Sequence, residues 1–233
     1  MMNKMKTSRS HQITRIIGKI VLFSAPILCL LSLASPAFAH HAMDGKLPTN
    51  FFQGFLSGLA HPVIGSDHLA FVVAVGLLAV TKKQGITIPI AFILAAMAGT
   101  GIHITGTNLP AVEFFVSGSI LLFGILLALK NNLPSLAIAA LAALAGLFHG
   151  YAYGEAIFGA ETTPLLSYLA GFTIVQLVIS LVASGIGKTV IVDRESQLQS
   201  LSKLRSAGLV ICGIGLTFFT SQILDTIFPA VRG

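Results

Sequence analysis

The run His61-Pro62-Val63-Ile64-Gly65-Ser66-Asp67-His68 sets two imidazoles and a carboxylate inside an otherwise apolar stretch. Imidazole is a ligand for nickel, zinc and cobalt(II), whereas carboxylate-only sites suit magnesium or calcium. An Asp at mid-bilayer costs roughly 2.5 to 3.5 kcal/mol on insertion scales, so ionisable groups at such depth usually face a cavity and carry function. A plainer alternative is a proline kink with an internally hydrogen-bonded His–Asp pair. Three ionisable groups in eight residues favour a site. Pro62 disfavours helical geometry at His61, and its ring suits the first turn of a new helix. A break near 61–65 would aim the N-terminus of a second half-helix into the membrane, where its positive end favours an ionised Asp67. Irregular backbone survives at that depth only beside a cavity or under protein cover.

Other polar groups sit at matching depths. His149 and Glu155 lie in Phe148-His149-Gly150-Tyr151-Ala152-Tyr153-Gly154-Glu155. They converge only if Gly150 or Gly154 interrupts the helix, or if each meets the first motif separately. His103 is either a further ligand or a partner in an interhelical hydrogen bond. Gln176 and Ser180, one turn apart, read as helix-to-helix hydrogen-bond partners. Tyr151 and Tyr153 fit an aromatic interface belt. Cys212 is the one cysteine beyond Cys29, so no thiolate site can be built, and it reads as a small buried apolar residue. The candidate metal ligands are His61, Asp67, His68, His149, Glu155 and His103, and a mature terminus at His40-His41 would add a surface metal trap or a solvated tail. The ion would be a passing substrate, with no permanently bound cofactor.

The elements that must hold these groups are membrane helices. The chain has 233 residues, 55% hydrophobic and 9% charged, with a mean hydropathy of +0.89. Soluble domains carry about 25% charged residues. The net charge of +6 is no nucleic-acid signal, because Lys4, Lys6, Arg9, Arg15 and Lys19 all precede residue 20 and no acid does. Residues 1–39 have the layout of a cleavable signal peptide: a basic start, an apolar stretch from about Ile20 to Leu33, and Ala37-Phe38-Ala39 as a small-x-small cleavage site. An uncleaved first helix is the alternative, disfavoured by its shortness and by Pro26 and Pro36. A periplasmic, His-bearing N-terminus over 40–49 would follow, and then an all-α, six-helix transmembrane domain over 50–233.

Six apolar segments, each near the ~20 residues that a spanning helix needs, fall at about 50–80, 86–105, 111–129, 134–152, 164–186 and 206–228. If residue 40 lies outside, the cytoplasmic loops hold Lys82, Lys83, Lys130, Lys188, Arg194, Lys203 and Arg205. The outer segments keep Lys46 and Arg232 beside Asp44, Glu113, Glu155, Glu161 and Asp225. That asymmetry follows the positive-inside rule for a bacterial inner membrane. Gly54 and Gly58, and the stripe Gly146, Gly150 and Gly154, are spaced for close helix approach. Self-association into a homo-oligomer is compatible with such a bundle.

His61-Pro62-x-x-Gly65-x-Asp67-His68 together with Phe148-His149-Gly150-x-x-x-Gly154-x-Glu155 resembles the HupE/UreJ family of bacterial membrane proteins. The similarity runs over the whole mature chain. It implies a nickel permease linked to hydrogenase or urease metallocentre assembly, with His61, Asp67, His68, His149 and Glu155 at the positions of the family's polar motifs. The larger nickel/cobalt transporter family has one residue fewer between its first His and its Asp, which argues against membership there.

From the residues, the expected function is uptake of a divalent metal by facilitated or secondary transport. There is no nucleotide-binding loop, and the membrane potential draws a divalent cation inward with about 4.6 kcal/mol per 100 mV. An intramembrane zinc hydrolase is a competing class, using His61, His68 and His149 as ligands and Asp67 or Glu155 as base. It lacks an HExxH helix. A metal sensor or accessory protein is the third class, and it would bind without transporting.

Overall fold

The structure is a computed structural model that describes residues 46–129, 131–192 and 197–228. The expected signal peptide at 1–39, and His40 and His41, lie outside the described residues. The described residues form seven α-helices: α1 Phe51–Ile64, α2 Ser66–Ala79, α3 Thr87–Ile104, α4 Val112–Ala128, α5 Ser135–Glu155, α6 Thr162–Val192 and α7 Gln197–Ile227. No strand occurs among them.

Each start has a local cause. The Asn50 side chain accepts the Gln53 amide N–H at 2.9 Å, while Gln53 Oε1 reaches back to the Thr49 amide N–H and hydroxyl. These reciprocal bonds satisfy amides that the first turn of α1 leaves open. Pro134 precedes α5 in extended backbone. Ala111, ahead of α4, is held at φ 56, a left-handed conformation that costs a residue with a side chain. Gly106 and Gly159 turn at positive φ after α3 and α5.

Four helical stretches are long and apolar enough to cross a bilayer: Thr87–Ile104, Ser135–Glu155, Thr162–Thr189 and Lys203–Ile227. The pair α1 and α2 passes together but bends by 79°. The 17-residue α4 is apolar and shorter. Helices therefore stand where each of the six expected segments was placed. The last two run further than the apolar stretches, α6 to Val192 and α7 from Gln197, so the expected loop at 187–205 is largely helical.

Glycine-lined seams join the helices. In the first, a side chain on Gly54 or Gly58 of α1 would run into the backbone of Pro164 or Tyr168 on α6, and one on Gly76 of α2 into that of Ser180. In the second, Gly99 of α3 lies against Leu147, while Gly146 and Gly150 of α5 lie against Phe92 and Ala96. In the third, Gly124 of α4 meets Cys212, and Gly208 of α7 meets Ala128. The expected close approach at both small-residue stripes is present, and its reason is dispersion contact between backbones that lipid does not otherwise drive together. Between the seams, Phe71, Phe92 and Phe123 form an aromatic core, with ring centroids 5.1 and 4.7 Å from Phe71. Leu94, Leu136, Leu166, Val182 and Leu209 are exposed, as a lipid-facing surface requires. Lys82 Nζ donates to Asn131 Oδ1 at 2.7 Å, tying the loop after α2 to the loop before α5 at one end of the bundle.

Candidate functional site

The helix break falls at Gly65, within the expected 61–65 span but at its glycine and not at its proline. Helix α1 continues through Pro62 to Ile64, because the Gly65 amide still donates to the His61 carbonyl at 3.1 Å. Gly65 has φ −68 and ψ 100, which any residue can adopt. Space is what demands glycine there: a Cβ would stand 2.8 Å from His68 Cδ2 and 3.1 Å from Asp67 Oδ1. Asp67 is thus folded back into the first turn of α2, where its Oδ1 accepts the His68 amide N–H at 2.8 Å. The amides of that turn lack helical acceptors and bring a partial positive charge to the carboxylate.

Three of the expected histidines meet in one buried row. His68 Nδ1 lies 2.9 Å from His149 Nδ1, and His149 Nε2 lies 3.0 Å from Ser119 Oγ. His61 Nδ1 lies 3.2 Å from the Tyr168 hydroxyl, and the His61 and His68 rings are 5.6 Å apart. His149 is fully buried, stacked on Phe71 at 4.4 Å, and Asp67 is 7% exposed.

Counting hydroxyl protons gives the row a direction. Ser119 donates its single proton to the Val116 carbonyl at 2.7 Å, so its oxygen accepts from His149 Nε2–H. Neutral His149 then accepts at Nδ1 from His68 Nδ1–H, which leaves the lone pair of His68 on Nε2. Tyr168 donates to the Tyr153 carbonyl at 2.9 Å, so it accepts from His61 Nδ1–H and the lone pair of His61 is likewise on Nε2. His61 and His68 are thus each fixed by a neighbour in the tautomer that keeps the lone pair on Nε2, whereas His149 carries its proton there and its lone pair on Nδ1.

Not every expected residue joins. His103 sits apart, its ring 4.4 Å from Tyr151 and 5.5 Å from Phe158, at the far end of α3. Glu155 is exposed at the last residue of α5, because neither Gly150 nor Gly154 interrupts that helix. Among the described residues, no three His, Cys, Asp or Glu side chains converge as a ready-made metal cage.

Sequence reasoning missed three residues. Tyr153 is fully buried rather than in an interface belt, with its ring 4.5 Å from His68 and 5.1 Å from His61. Its hydroxyl has no hydrogen-bond partner in the structure. Tyr168 and Ser119 fix the tautomers. The phase of Tyr153, four residues after His149 and so on the same helix face, was the one signal available for any of them.

A multi-pass α-helical membrane protein with a hydrogen-bonded histidine row at a helix break is the class that this fold and site define. A family model described as "HupE / UreJ protein" matches residues 28–218. "Protein HupE" of Rhizobium leguminosarum bv. viciae is 30% identical over 161 residues, which cover 68% of this chain and 80% of that protein. No solved structure matches. The chain belongs to the HupE/UreJ family.

Proposed function

We propose that this chain is a permease carrying a divalent transition metal, Ni2+ foremost, across the bacterial inner membrane. The observation that carries the reading is the histidine row, in which imidazoles from α1, α2 and α5 are held with Nε2 of His61 and of His68 as ligand atoms. Family membership supports it, as do four helices long and apolar enough to cross a bilayer and a bent pair that passes as a fifth. The 17-residue apolar helix would be the sixth crossing. The mature N-terminus is then periplasmic, and His40, His41, His103 and Glu155 belong to the approach. His61, Asp67, His68 and His149 form the transit site, where the Asp67 charge offsets lost hydration. Release of the bond between His68 and His149 frees a further nitrogen, so the ion meets ligands in succession rather than a closed shell. Delivery serves hydrogenase or urease assembly.

A resident catalytic zinc is held by three protein ligands together, which favours transport over the hydrolase reading for a row arranged in series. Uptake of radiolabelled Ni2+ into proteoliposomes tests the proposal, with Co2+ and Zn2+ as competitors. Wild type should accumulate the ion, and Asp67→Asn and His68→Ala should not. Equal uptake by all three proteins would overturn the site.

A further inference from the structure

Helix α6 carries a second polar feature that the histidine row does not use. Gln176 and Ser180 are both fully buried. Neither the Gln176 amide oxygen, nor its nitrogen, nor Ser180 Oγ has a hydrogen-bond partner, and Thr173 Oγ1 has none either. Residues at 176 and 180 were expected to bond across to another helix, and they do not. An unmatched amide within a membrane bundle is costly, because no solvent is at hand to satisfy it.

Their position is specific. Tyr168, Phe172, Gln176 and Ser180 recur every four residues and so share one flank of α6. Tyr168 holds His61, and Phe172 packs 5.5 Å from Tyr153. A Cβ on Gly58 of α1 would lie 2.9 Å from the Phe172 nitrogen, and a side chain on Gly76 of α2 would meet the Ser180 backbone. Gln176 therefore lies between those two contacts, at the level where α1 gives way to α2. From Phe172, Gln176 is about 6 Å and Ser180 about 12 Å further along the helix.

We propose that a narrow, water-lined leg of the ion path leaves the histidine row along this flank of α6, past Thr173, Gln176 and Ser180. It rests on the permease reading. The chemistry changes along the way: imidazole nitrogens give place to amide and hydroxyl oxygens, harder and weaker donors for a late first-row ion. An ion moving from nitrogen to oxygen ligands takes water back and is released. The unmatched atoms on α6 are the hydrogen-bonding wall for that water.

The test uses the full chain in liposomes, with Cys29 and Cys212 replaced by Ser. Ser180→Cys is compared with Val178→Cys, a lipid-facing position 51% exposed in the bundle. A charged, water-soluble thiol reagent should label Ser180→Cys at least about tenfold faster than Val178→Cys, since only a hydrated site admits it. Millimolar Ni2+ should slow that labelling. Gln176→Leu should slow Ni2+ uptake about tenfold, the scale of one buried hydrogen bond to water left unmade. Gln176→Glu should retain more uptake than Gln176→Leu. Labelling of Ser180→Cys no faster than Val178→Cys overturns the leg, as does Gln176→Leu transporting like wild type. Fast labelling in a wild-type-like protein that takes up no Ni2+ overturns the permease reading and, with it, an ion path there, while leaving the hydrated flank itself demonstrated.

Discussion

Gly65→Ala should damage the proposed transit site while sparing the fold. The backbone at Gly65, φ −68 and ψ 100, accepts alanine without strain. Its new methyl would stand 2.8 Å from His68 Cδ2, where ordinary contact requires at least 3.4 Å. The His68 ring must retreat by about half an ångström, and it has little room, since Tyr153 and His149 lie 4.5 and 5.0 Å from it by ring centroid. A retreat of that size takes the 2.9 Å bond between His68 and His149 to the limit of useful hydrogen-bond length. One neutral hydrogen bond contributes about 0.5 to 1.5 kcal/mol, so the melting temperature should fall only slightly. Disturbing the partner that orients a metal-binding histidine typically weakens metal affinity about ten- to hundredfold. Calorimetric Ni2+ titration of purified protein, together with proteoliposome uptake, measures this, and Gly101→Ala serves as control because nothing lies within 4 Å of its added Cβ. If Gly65→Ala binds and transports within twofold of wild type, the geometry at the break does not govern the ion.

Tyr168→Phe removes the proton given to the Tyr153 carbonyl and the acceptor for His61 Nδ1. Thermal unfolding should show a loss of about 1 to 3 kcal/mol, and Ni2+ binding should weaken as His61 loses its fixed tautomer. Gly150→Ala forces a methyl onto the Ala96 backbone. It should destabilise the protein by at least about 3 kcal/mol or prevent its recovery as a monodisperse species in gel filtration. Ala111→Gly relieves the left-handed φ of 56 and should raise the unfolding free energy by about 1 kcal/mol in a denaturant titration, with uptake unchanged.

The helices were legible because lipid imposes one rule along the whole chain: long apolar runs separated by short polar links. A break near 61–65 was legible, and within that span it falls at Gly65 and not at Pro62. A proline near the end of a helix forfeits one bond, whereas Gly65 is where two side chains, His68 and Asp67, claim the space of a Cβ. His61, His68 and His149 were legible as rare ionisable groups in apolar surroundings. Tyr153, Tyr168 and Ser119 were not, because hydroxyl side chains are common in membrane helices and only helix rotation turns these toward the row. Gln176 was misread for the same reason: spacing along one helix does not reveal whether the facing helix offers a partner. Glu155 lies within a motif but past the reach of an unbroken α5, and His103 lies at a helix end that curls against Tyr151.

The three glycine seams divide the molecule into clamped bodies: α1 and α2 with α6, α3 with α5, and α4 with α7. His61 and His68 ride on the first, His149 on the second and Ser119 on the third. Sliding any body against its neighbours must therefore stretch a contact in the chain of imidazoles. On the proposed permease reading, ion occupancy and mechanical freedom of the bundle would be coupled through the same nitrogen atoms, and a cargo that loosened those contacts would also unlock the joint at which it sat.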